Sequence, residues 1–350
     1  IGVSFKQAKK NLFDIQDVKE MVKHTITLNW EEVTDITPDM RLTLYNSGHI
    51  LGSSMIHLNV GNGSHNFLYT GDMKYLKTRV LDPAATKFPR LETVMIESTY
   101  GDKNAVLGSR KKAEERLVEV VEETVKKKGK ILIPVLGVGR AQELLLVIES
   151  AIREGRMKKL PVYVQGMVWD ITGIHTAYPD FLNKDLRRSI FHKDQNPFLS
   201  DVFKKVGSRK EQDAIMESNE SCIIVATAGM LNAGASLEYF KRMADNAKNS
   251  MIFVTYQGAG TLGRRIQDGE RKIIFSDDGK ASEVEVKLNL EIITDFTGHA
   301  GRTELMQFVK DLNPRPRKIL VQHGESSKCI DLASSLHKAN RMETFAPKNL

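Results

Sequence analysis

Along the first hundred residues the apolar positions fall in short alternating or continuous runs. Thr25–Trp30, Arg41–Asn46, Met55–Val60 and Asn66–Thr70 each read as a strand, with Gly61-Asn62-Gly63 as the hairpin turn between the last two. From about residue 103 to 290 the pattern becomes strand, glycine-bearing turn and amphipathic helix. ILIPV precedes GVGRAQELLLVIESAIREG, CIIVAT precedes AGMLNAGASLEYFKRMA, and MIFVTY precedes QGAGTLGRRIQ. Apolar runs that alternate with helices predict a mostly parallel sheet covered on both faces, an α/β architecture. After 291 the pattern predicts a strand at Glu291–Phe296, a helix at Arg302–Leu312, a strand at Lys318–Gln322 and a helix from Ser326 to about Lys338.

Length and composition sharpen this picture. A chain of 350 residues exceeds the roughly 250–300 at which single cores split, so two domains are expected. No run of about 20 apolar residues is present, which excludes a membrane-spanning helix. Two cysteines, Cys222 and Cys329, can build neither a disulfide framework nor a four-thiolate zinc site, and they suit a reducing, cytoplasmic setting. The net charge of +7 permits an anionic partner such as nucleic acid without specifying one. Its densest basic runs, Arg110-Lys111-Lys112 and Lys126-Lys127-Lys128, flank an amphipathic pattern and read as a solvated helix face. The chain opens on IGVSFKQ, with neither methionine nor a charged-then-apolar leader, and is expected to be a fragment. GVGRAQE matches neither dinucleotide-binding nor P-loop spacing and reads as a tight turn.

Chemistry concentrates in five residues, each placed where an apolar run meets a small-residue turn: His49 in SGHILGSS, Asp72 in YTGDMK, Glu97 in MIESTYG, His299 in FTGHAG and His323 in VQHGES. Imidazoles and carboxylates delivered to strand ends are the means by which α/β scaffolds build metal sites, and a carboxylate can bridge two ions. A single histidine after a strand is more commonly a hydrogen-bonded structural residue; here the shared motif context sets His49, His299 and His323 apart from His24, His57, His65, His175, His192 and His337, which read as surface or packing residues. His49 and Asp72 lie in the first block, His299 and His323 in the last. Their convergence requires the middle block to be an insertion into a discontinuous domain.

SGHILGSSM, YTGDMK, ESTYGD, IPVLGVGRAQE, TAGMLNAG, TYQGAGTLGRR, FTGHAGR and HGE, in this order and over almost the whole chain, resemble the β-CASP branch of the metallo-β-lactamase superfamily. The likeness is to its archaeal homologues of the cleavage and polyadenylation specificity factor endonuclease. The resemblance implies a discontinuous αββα metallo-β-lactamase fold at 1–102 and 291–350, truncated at its N-terminus, and a doubly wound β-CASP domain inserted at 103–290. It also implies two zinc ions per complete site. His49, Asp72 and His323 match metal-ligand positions, Asp72 the one that bridges both ions. Glu97 and His299 match the acidic and second β-CASP motifs, the former to hold the ring of the latter, the candidate general acid. A histidine at 323 resembles the RNA-processing members.

The family's H-x-H-x-D-H ligand cluster has no counterpart here, as a truncated chain would show, and Gly301 stands where the family commonly has aspartate, which leaves that carboxylate's part in orienting His299 open. The implied activity is zinc-dependent endonucleolytic, and also 5′-to-3′ exonucleolytic, hydrolysis of single-stranded RNA in 3′-end processing or transcription termination, with Arg264 and Arg265 as candidate contacts to the RNA backbone or else members of ordinary ion pairs. The implied partners are single-stranded RNA, a second copy in a homodimer and upstream KH domains. A non-catalytic β-CASP subunit that binds RNA or a partner nuclease is the alternative. A small-molecule hydrolase is disfavoured by the long insertion.

Overall fold

The computed structural model describes residues 13–105, 107–277 and 280–348. The chain begins with α1 (Ile15–Lys23), capped by the Asp14 carboxylate, which accepts from the backbone N–H groups of Gln16 and Asp17. A meander follows: β1 (Val33–Thr37), β2 (Met40–Asn46), β3 (Ser54–Val60), the Gly61–Gly63 turn and β4 (His65–Tyr69), then β5 (Thr93–Glu97). The middle of the chain runs α2 (Arg110–Lys126), β6 (Ile131–Pro134), α3 (Arg140–Arg153), β7 (Val162–Gln165), α4 (Met167–Ala177), α5 (Lys184–Lys193), β8 (Phe203–Val206) and α6 (Arg209–Glu217). It continues through β9 (Ile223–Ala226), α7 (Gly234–Met243), β10 (Ser250–Phe253), α8 (Leu262–Gln267), the hairpin β11 (Lys272–Asp277) and β12 (Lys280–Glu285), and β13 (Asn289–Ile292). Last come α9 (Arg302–Asp311), β14 (Lys318–Gln322), α10 (Ser326–Asn340) and β15 (Glu343–Phe345). No helix among the described residues is long and apolar enough to cross a membrane.

The strands form two large sheets. One is seven-stranded in the order β1-β2-β3-β4-β5-β14-β15, the other six-stranded in the order β13-β10-β6-β9-β7-β8. Every pairing in the second sheet is parallel, as alternating strands and helices require. Its side chains divide by parity: Ile131, Ile133, Ile223 and Val225 enter one buried cluster, and Leu132, Ile224 and Ala226 the cluster on the opposite face. Helices cover both, so the strands carry few polar positions. In the first sheet β4, β5, β14 and β15 run parallel, with Gln322 level with Glu97. Helices α9 and α10 seal one face of this sheet: Leu305, Phe308 and Val309 recur at helical spacing and are buried with Val94, Ile96, Ile319 and Val321. Truncating Phe308 to alanine there would cost about 3–5 kcal/mol.

Three sequence expectations are corrected. Thr25–Trp30 is not a strand: residues 25–29 lie exposed with no ladder, and only Trp30 forms an isolated bridge, to Leu44. Alternating β-branched residues have strand propensity, but without a partner edge they gain nothing from it. The strand expected at Glu291–Phe296 is β13, shifted to Asn289–Ile292 beside β10, followed by a 3₁₀ turn over Thr294–Phe296 that buries Phe296 against α2 and α3. Of the basic runs, Lys111, Lys112 and Lys126–Lys128 are exposed as expected, but Arg110 turns inward onto the buried Glu143 and over the Phe296 ring.

Candidate active site

Asp72, Glu97 and His323 all follow or end parallel strands at one edge of the first sheet: Asp72 lies beyond β4, Glu97 closes β5, and His323 follows β14. His49 occupies the turn from β2 to β3. Because β3 is antiparallel to β4, with Ile56 opposite Tyr69, this turn lies at the same edge. Ligand-bearing groups at the carboxyl ends of strands are the general geometry of open α/β sheets. His299 arrives from the other sheet. Beyond β13 the chain crosses Thr297-Gly298 and docks through Ala300, whose N–H donates to the Met73 carbonyl at 2.7 Å.

Two groups of donors result: His49, Asp72 and His299, and Asp72, Glu97 and His323, with one ligand atom from each residue lying within 4.8 Å of the others in its group. His49 Nδ1 lies 3.0 Å from the Gly298 carbonyl, a contact only an Nδ1–H can make. Burial holds the His49 pKa below the ordinary imidazole value, against the opposing pull of that bond. The neutral ring therefore presents Nε2 as a lone pair, 3.8 Å from Asp72 Oδ2. On the other side His323 Nδ1 approaches Asp72 Oδ1 at 3.1 Å. Two acceptor atoms that face each other at 3.8 Å with no proton between them repel unless a cation joins them, and a carbonyl on the far nitrogen is the usual way a ligating imidazole is oriented. The donor set thus fits a divalent metal.

Glu97 is fully buried and its oxygens are already engaged. Oε1 accepts from the Met73 N–H at 2.7 Å, and His299 Nδ1 lies 3.1 and 2.9 Å from the two oxygens. These bonds leave it little capacity to ligate. Burial raises the Glu97 pKa, but the bonds from His299 and Met73 prevail and hold it low; burial likewise opposes the His299 imidazolium, and the Glu97 carboxylate prevails there too, raising His299 above its ordinary value. His299 is thereby favoured as a cation with its Nδ1 occupied, its ring centroid 4.7 Å from that of His49.

Sequence reasoning missed three supports of this arrangement. Arg140, in the stretch read as a tight turn, is buried at the start of α3 and donates to the carbonyls of Phe296 at 2.7 Å and His49 at 3.1 Å, tying both sheets to the site. Burial lowers its pKa to about 10 and leaves it cationic at neutral pH. Lys74 is buried and donates to the His299 carbonyl at 3.0 Å and to Glu304 Oε1 at 2.6 Å. Thr99 Oγ1 lies 3.3 Å from His299 Nδ1 and 3.4 Å from His323 Nδ1. At Gly301 a Cβ would lie 2.7 Å from Leu107 Cδ1, so an apolar side chain closes over this position.

Arg264 and Arg265 stand apart from this cluster, on α8, each about half exposed and paired with a neighbouring carboxylate, Asp268 at 3.0 Å and Glu270 at 2.5 Å. The remaining histidines include two buried ones: His57 bonds the Arg90 carbonyl at 2.8 Å, and His175 the Ile171 carbonyl at 2.8 Å.

Residues 141–266 match the Beta-Casp domain, and residues 283–347 match the Zn-dependent metallo-hydrolase RNA specificity domain. Among curated proteins the chain is 51% identical over 351 residues to the transcription termination factor FttA of Thermococcus kodakarensis, covering all of this chain and 54% of that protein. It is 50% identical to the factor of the same name from Methanothermobacter thermautotrophicus and 48% to that of a Lokiarchaeum species, covering all of this chain and 55% of each. The chain spans about half the length of the curated relatives it matches.

Proposed function

This chain belongs to the β-CASP branch of the metallo-β-lactamase family, and from that premise we propose that its site hydrolyses phosphodiester bonds of single-stranded RNA, acting in transcription termination or 3′-end processing. The observation that carries the reading is the pairing of His299 with buried Glu97 beside the converging His49, Asp72 and His323. His49, Asp72 and His323 would hold zinc. Zinc, when bound, supplies Lewis acidity and a water that deprotonates near neutral pH.

The chain's own residues account for the rest of the chemistry. Attack by water on phosphorus breaks the P–O3′ bond, and the leaving oxygen must gain a proton. His299 is the donor: Glu97 fixes its Nδ1 and favours the imidazolium, so its Nε2 proton passes to O3′ and leaves a 3′-hydroxyl and a 5′-phosphate. Arg140 and Lys74, bonded to the carbonyls of His49 and His299, hold the two rings in register. The same reading includes endonucleolytic and 5′-to-3′ exonucleolytic modes, a homodimer, KH modules in the full-length chain and a cytoplasmic setting.

In the full-length protein, His299→Ala should retain near wild-type metal while cleaving RNA roughly 10²-fold or more slowly. His323→Ala should lose metal. Metal loss in both variants would make His299 a ligand instead of the acid, and a wild-type protein that binds RNA without cleaving it would be the non-catalytic subunit.

A further inference from the structure

We propose that Tyr256, Leu136 and Met167 form a stacking platform for unpaired bases of the RNA strand beside the candidate site; this rests on the nuclease reading above. The second sheet is wholly parallel, so its carboxyl strand ends share one rim. β13 continues from that rim to His299. Its neighbour β10 runs into Tyr256, β6 into Leu136, and β7 into Met167, in the spatial order the sheet imposes. With strands about 4.8 Å apart, the row from β10 to β7 is roughly 14 Å long.

These side chains are 68%, 47% and 58% exposed. Their loops are nevertheless firmly held. Gln257 Nε2 donates to the carbonyls of Gly229 at 2.9 Å and Thr255 at 3.1 Å, and Gly229 packs so close to Leu136 that a Cβ would lie 3.0 Å from its N–H nitrogen. Gly137 leaves equally little room against Met167. The row is also joined to the metal donors: Gly139 packs on Ile50, and Arg140 bonds the His49 carbonyl.

The form of this surface selects its occupant. A stable protein partner needs an area of about 800 Å² a side, whereas here single exposed apolar side chains follow β10, β6 and β7, with β9 between the last two adding none, and the glycines 137, 166, 258 and 260 lie beside them in sequence. A line that begins one strand from His299 suits a single polynucleotide strand, whose base faces stack on aromatic and apolar side chains irrespective of sequence. Arg264 and Arg265, a few residues beyond Tyr256, can exchange their surface carboxylates for phosphates.

The test uses the full-length protein and a short single-stranded RNA in which one abasic ribose is walked along the strand. Tyr256→Ala should weaken Kd about 5- to 150-fold, the loss of one base stack, with the log–log salt slope unchanged. Tyr256→Phe should bind as wild type, and Leu136→Ala should weaken binding in the same sense. One abasic position should cost the wild type the same factor and cost Tyr256→Ala nothing. If the wild type binds and cleaves RNA but Tyr256→Ala has wild-type affinity, the platform is refuted and the nuclease reading stands. Dimer loss with intact RNA affinity would make the row a protein contact and would also refute it. A wild type that neither binds nor cleaves RNA overturns both.

Discussion

Replacing Glu97 by glutamine separates proton supply from architecture. The substitution keeps the size of a side chain with no solvent exposure and keeps an oxygen to accept from Met73 N–H, now at 2.7 Å. What it removes is the charge and one acceptor. The new amide NH₂ faces His299 Nδ1, which must then accept instead of donate, so the proton of the neutral ring moves to Nε2 and the imidazolium loses its partner. A hydrogen bond to a charged group is worth about 1.5–3 kcal/mol, or roughly 10- to 150-fold in a rate that depends on the cation. We expect kcat to fall by that factor while KM, bound metal and unfolding midpoint stay near wild type, measured by single-turnover RNA cleavage and metal analysis on the full-length protein. Glu97→Ala should lose stability as well, because it orphans the buried Met73 N–H. A glutamine variant that cleaves at the wild-type rate with full metal would refute the role given to this pair, and one that loses metal would show Glu97 to be a ligand.

Glu304→Ala leaves the buried Lys74 ammonium without its counter-charge and should cost about 3–5 kcal/mol in urea unfolding. Replacing Lys74 by methionine in the same chain should recover much of that loss. His175 is buried, and burial lowers its pKa below the usual 6.5. The unfolded chain therefore binds its proton more readily, so stability should fall as pH drops from about 6.5 towards the lowered folded value, and His175→Phe should flatten that segment of the pH–stability curve. Alanine at both Arg264 and Arg265 should reduce the slope of log Kd against log salt for single-stranded RNA by roughly 0.7 for each phosphate left without its arginine. An unchanged slope with lowered stability would make them internal ion pairs only.

The five candidate residues were legible because each sits at the end of an apolar run, and a run that ends on a small-residue turn fixes where the side chain emerges. Their supports were not. Arg140, Lys74 and Thr99 act on partners 91, 225 and 200 residues away, and an arginine in a glycine turn has the same local signature whether it is solvated or buried. The alternation of strand and helix in the middle block showed its parallel sheet in advance. β7 and β8 escaped notice because VYVQ and FKKV are four residues long with polar members, too short for periodicity to tell from loop. Thr25–Trp30 failed in the opposite sense, with a strand-like pattern and no neighbouring edge to pair with.

The parallel pairing of β5 with β14 has a consequence for the time at which the site can exist. Glu97 pairs with Gln322 in the sheet, and His323 follows directly, yet the ribosome must add the whole middle block between making Glu97 and making His323. At about 5–20 residues per second this interval lasts roughly ten to fifty seconds. Until residue 299 is made the nascent chain holds His49 and Asp72 without His299, and until β14 is made β5 lacks its neighbour on that side. The five candidate residues can therefore come together only once synthesis has passed residue 323.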